Sequence, residues 1–94
     1  MRDTPTQITD INILSNLVSL ESLDLEDNQI ADIKALSNLT SLIHLYLDGN
    51  QISDINALLN LTSLESLDLE DNQITDFSVL EYLPSLKYIN IDWG

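Results

Sequence analysis

Ser19-Leu-Glu-Ser-Leu-Asp-Leu-Glu-Asp-Asn-Gln-Ile30 recurs letter for letter at Ser63 to Ile74. Between them, Leu42 to Ile52 follows the same plan, so the step is 22 residues. Working outward, Leu20, Leu42, Leu64 and Leu86 share it, as do Leu23, Leu45, Leu67 and Ile89, and Leu25, Leu47, Leu69 and Ile91. Asn28, Asn50 and Asn72 keep the same phase. The second half of each unit repeats Ile8, Ile30, Ile52 and Ile74, then Ile11, Ile33, Ile55 and Phe77. Leu14, Leu36, Leu58 and Leu80 follow, and Leu17, Leu39, Leu61 and Leu83 close the unit. Fixed-period self-similarity of this length signals stacked repeats, none of which can bury its leucines alone.

The spacing within a unit sets the local structure. Leu23-Asp24-Leu25 alternates with period two and predicts a short strand with one buried face. From Ile30 to Leu42 the apolar residues fall at every third position. A 3.6-residue helix would rotate that series off one face, whereas a 3₁₀ or extended path keeps it aligned. Parallel strands about 4.8 Å apart should therefore line one side of the stack, with tight return segments on the other.

Composition narrows the work such a stack can do. With 94 residues the expected organisation is one domain, 1–94, divided near 6–19, 20–41, 42–63, 64–85 and 86–94. Sixteen acidic residues face three basic ones (Arg2, Lys34, Lys87), a net charge of -13. That excludes nucleic-acid binding by phosphate neutralisation and argues against docking on anionic membranes. The apolar runs are too short for membrane insertion, and Met1 to Gln7 shows no secretory signal. Without cysteine there are no disulfides or thiolate sites. No cofactor is expected.

Two polar columns read as structural. Asn28, Asn50 and Asn72 stand where the chain must turn after each strand, and an amide there can bridge backbone groups of adjacent units. Asp10, Asp32, Asp54 and Asp76 precede the residue opening each return segment, where a carboxylate caps free N–H groups. A calcium column is the sharper reading of the aspartates, but no metal site is assigned.

The unit L-x-x-L-x-L-x-x-N-Q-I-x-D-I-x-x-L-x-x-L-x-x, best seen at Leu42 to Ile55, resembles the 22-residue class of leucine-rich repeat found in bacterial internalins. The resemblance implies an α/β repeat solenoid, a right-handed superhelix with a parallel sheet on its concave face and 3₁₀ or extended segments on its convex face. It also implies a protein-binding rather than catalytic role, and a bacterial surface or secreted location. Expressed as an isolated chain, it would be cytoplasmic. The helical cap and immunoglobulin-like domain of an internalin have no counterpart in the sequence. The duplicated dodecamer fits a recent duplication or an engineered array.

Residues flanking the inward leucines should face the concave side. They give three columns: Ser22, His44, Ser66 and Tyr88; Asp24, Tyr46, Asp68 and Asn90; Glu26, Asp48, Glu70 and Asp92. Like charges about 5 Å apart repel by about 0.8 kcal/mol in bulk water. A basic protein or peptide would relieve that repulsion, with Tyr46, Tyr88 and His44 as anchors. His44 beside Ser22 and Ser66 suggests a nucleophile pair, but an open strand surface offers it no oxyanion donors. The rival reading is a self-assembling scaffold without a natural ligand. There a homodimer forms through the C-terminal edge, with Tyr88, Ile89, Ile91 and Trp93 in contact.

Overall fold

Three-residue spacing of apolar side chains produces the return segments seen in the computed structural model, which describes residues 8–92. The N–H of Leu36 donates to the Ile33 carbonyl at 3.0 Å, Leu39 to Leu36 at 3.0 Å and Leu42 to Leu39 at 3.1 Å. Each apolar residue is thus bonded to the previous one, so the whole series stays on one face. Short 3₁₀ helices form at the centre of each segment: η1 (Asn12–Leu14), η2 (Lys34–Leu36), η3 (Asn56–Asn60) and η4 (Ser78–Tyr82). In the last unit, where Tyr82 and Pro84 replace the asparagine and threonine of earlier units, the same bonds stretch to 3.3 and 3.4 Å at Leu83 and Leu86.

Between these segments run β1 (Ser22–Asp24), β2 (His44–Tyr46), β3 (Ser66–Asp68) and β4 (Tyr88–Asn90). They form one open parallel sheet in the order β1-β2-β3-β4. Pairing is in register with the 22-residue step: Leu23 against Leu45, Leu45 against Leu67, Leu67 against Ile89. A one-residue slip would turn every leucine outward, so the buried face enforces the register. Backbone bonds carry the ladder past the strands, with the Leu25 N–H on the Tyr46 carbonyl at 2.8 Å and Leu47 on Asp68 at 2.9 Å.

Sheet and return segments enclose a single spine of leucine and isoleucine. Every fully buried large side chain lies between Ile30 and Leu67. Toward the ends the columns open: Leu17 is 46% exposed, Val18 51% and Ile89 45%. Fully burying such a side chain contributes about 1.5–3 kcal/mol, so the middle of the stack holds most of the stability.

The two structural columns form as the sequence predicts. Asn50 Oδ1 accepts the Ile30 N–H at 3.0 Å, and its Nδ2 donates to the Leu25 and Leu47 carbonyls at 3.0 and 2.9 Å. Asn72 makes the same bridges, accepting the Ile52 N–H and donating to the Leu47 and Leu69 carbonyls, whereas Asn28 accepts the Ile8 N–H and donates to the Leu25 and Glu26 carbonyls of its own unit. Asp10, Asp32, Asp54 and Asp76 each accept the N–H two residues ahead at 2.9 Å. Each sits one residue before the N-cap, so the bond is an Asx turn onto the first helical N–H.

Candidate protein-binding face

The register brings the outward residues of the strands together. Ser22, His44, Ser66 and Tyr88 are register partners across the sheet, and Asp24, Tyr46, Asp68 and Asn90 form the next row. The row of Glu26, Asp48 and Glu70 is held beyond the strand ends, where Asp27 N–H meets the Asp48 carbonyl and Gly49 N–H the Glu70 carbonyl, both at 2.9 Å.

Asp92 is exposed in phase with this row and also bonds the backbone. Its Oδ2 accepts the Asp71 N–H at 2.9 Å. The equivalent N–H groups of Asp27 and Gly49 go to backbone carbonyls, so at the last rung a side chain does the work of a main-chain group. Asp24 and Asp68 are also anchored, through Oδ1, by the N–H groups of Glu26 and Glu70 at 3.2 and 3.1 Å. The Asp-x-Glu spacing of two residues is the sequence signal for these turns, and sequence reasoning missed it.

Crowded acids shift one another. Glu26 is raised above its ordinary value by the charge of Asp24, then by that of Asp48. Asp48 is raised first by partial burial, against which its own backbone N–H acts, and further by Asp68, Asp27 and Asp24. Both resist ionisation, Glu26 chiefly because of neighbouring charge and Asp48 chiefly because of burial. Asp76 on the return side is lowered instead, by its bond from the Ser78 N–H.

His44 is half-buried beside Ser66, and its Nδ1 is shielded from water without a hydrogen-bond partner. Among the described residues no group of three or more acids or histidines is disposed to hold a metal ion. Of the residues assigned to self-association, Tyr88 (68% exposed) and Ile89 stand open on β4, whereas Ile91 is buried. Trp93 lies outside the described residues.

A sequence model of the family described as leucine-rich repeats (two copies) matches residues 18–60, 40–82 and 62–94. The chain belongs to the leucine-rich repeat family. Among solved structures it resembles the internalin inlF of Listeria monocytogenes, with a TM-score of 0.90 and 44% identity over 92% of this chain. Internalin C2 of the same organism matches with a TM-score of 0.90 and 41% identity, also over 92%. A leucine-rich-repeat protein of Leptospira interrogans matches with 0.84 and 28% over the same share. The chain spans 25%, 38% and 23% of those three chains. No curated protein sequence matches closely enough to count as a relative. Leucine-rich-repeat proteins generally mediate protein–protein interaction, and internalin relatives are typically non-enzymatic. Among the described residues no helix is long and apolar enough to cross a membrane.

Proposed function

We propose that this leucine-rich-repeat chain binds a basic protein or peptide through its concave sheet. The observation that carries the reading is the unbroken acidic row Glu26, Asp48 and Glu70, with Glu26 and Asp48 both resisting ionisation. Carboxylates held close to like charge are stabilised when a cation arrives. Asp24 and Asp68 add charge beside it, and His44, Tyr46, Tyr88 and Asn90 supply contact surface. Asp92, exposed and bonded to the Asp71 N–H through one oxygen, extends the charge at β4. The test is titration of a nona-lysine peptide at about 0.05 M and about 0.2 M salt, where screening should weaken affinity several-fold. Asp48→Lys with Glu70→Lys should abolish binding. Salt-independent affinity, or binding that survives charge reversal, overturns the reading.

A second reading is favoured by β4, where Tyr88 and Ile89 are exposed. Exposed apolar residues on a strand can receive a second chain, and a two-fold pairing through them would close as a dimer. The net charge of -13 opposes longer growth.

A further inference from the structure

β1 and β3 carry the same three residues, Ser-Leu-Asp, yet their surroundings differ. Asp24 lies on the outermost strand. Asp68 lies between Tyr46 on β2 and Asn90 on β4, while Ser66 lies between His44 and Tyr88. Two short side chains flanked by long ones leave a depression. The structure has a hollow of about 440 Å³ there, walled by Tyr46, Ser66, Asp68, Lys87, Tyr88 and Asn90.

The carboxylate at its floor is oriented before any ligand arrives. Asp68 Oδ1 takes the Glu70 N–H at 3.1 Å, and Oδ2 lies 3.4 Å from Asn90 Nδ2. A carboxylate has about four lone-pair sites, so both oxygens keep capacity for a further donor. The one cation on the rim, Lys87, leans on Glu65 with its Nζ 3.8 Å from Oε1. A hollow of about 540 Å³ on the return side also carries carboxylates, Asp32 and Asp54, but its lining holds Lys34 and no aromatic side chain.

From this arrangement we infer that the hollow over Asp68 is the seat for an arginine side chain of the bound protein or peptide. The inference rests on the acidic-face reading and names the anchor within it. A guanidinium presents a planar fork that matches a carboxylate and a face that stacks on phenol rings, whereas an ammonium offers only a point charge. Tyr46 and Tyr88 stand at opposite corners of the hollow, within its lining, where a phenol ring can meet a guanidinium. Asp68, unlike Asp24, lies between two described strands, with Tyr46 on one side and Asn90 on the other.

The probe is the peptide acetyl-Gly-Gly-Arg-Gly-Gly-amide, compared with its lysine and citrulline versions, titrated into the ¹⁵N-labelled chain by NMR. Amide shifts should concentrate at Tyr46, Ser66, Asp68, Tyr88 and Asn90. The arginine peptide should bind about threefold more tightly than the lysine peptide, and citrulline, which lacks the charge, should not bind measurably. Asp68→Asn should weaken the arginine peptide by about tenfold and Tyr46→Leu by about threefold, with spectra that still show the folded chain. Equal binding of citrulline, or an Asp68→Asn variant that binds as the parent does, overturns the assignment. If nona-lysine still binds with its salt dependence while Asp68→Asn is neutral, the acidic face stands and the arginine seat falls. If neither probe binds, both fall.

Discussion

Asn50 takes the N–H of Ile30 from the preceding unit while its own amide N–H groups serve the carbonyls of Leu25 and Leu47. One side chain thus ties two units together, and it is the one buried polar side chain among the described residues. Replacing it by leucine leaves one N–H and two carbonyls without that partner. At about 1–3 kcal/mol for an unsatisfied buried group, Asn50→Leu should cost about 3 kcal/mol or more in urea unfolding. Asn28 and Asn72 are only half-buried, so the same change there should cost less.

Gly49 stands at φ 71°, in phase with Asp27 at 58° and Asp71 at 59°. A Cβ on Gly49 would collide with Asp27 Oδ1. Gly49→Ala should therefore destabilise by about 1–2 kcal/mol, from left-handed backbone strain and the clash together. Adding Asp27→Gly removes the clash and should return part of that loss, measurable as a coupling in a double-mutant cycle. Strict additivity would mean that strain alone is responsible.

Stability should peak on the acid side of neutrality. Glu26 and Asp48 have folded pKa values raised above their ordinary 4.5 and 3.8. The folded chain then holds more protons than the unfolded chain across that window, so stability falls as pH rises through it. Asp76 is lowered below 3.8, so its contribution is present above that value and lost as pH falls toward its folded pKa. Thermal melts between about pH 3 and about pH 8 should rise on mild acidification and then drop. Glu26→Gln should flatten the first limb and Asp76→Ala the second.

Burial grades from the middle to the ends, and mutational cost should follow. Leu45→Ala, at a fully buried site, should cost about 3 kcal/mol or more, whereas Ile89→Ala, in the same column but 45% exposed, should cost about 1 kcal/mol or less. Ile89→Lys separates folding from association. Sedimentation should show it monomeric if β4 is a self-association edge, with its melting temperature little changed.

The outward rows were legible in the sequence because parallel pairing repeats the 22-residue step without a slip. The period alone sets Ser22, His44 and Ser66 side by side. The turn of Asp92 onto Asp71 was not legible, because that residue has the same phase as Asp48 and Glu70. What separates them is which acceptor reaches the N–H one unit earlier, and periodicity carries no information about that.

By itself, the sequence determined the solenoid, the parallel register, the three-residue return path and the asparagine bridges. Each follows from which side of the chain a residue must face to bury its apolar neighbours. The tertiary structure decided how deeply each rung is buried and which carboxylates are already spoken for by backbone N–H groups. It also placed a hollow over Asp68. Those outcomes depend on side chains 22 residues away filling or leaving space across the strands, a relation that exists only once the units are stacked.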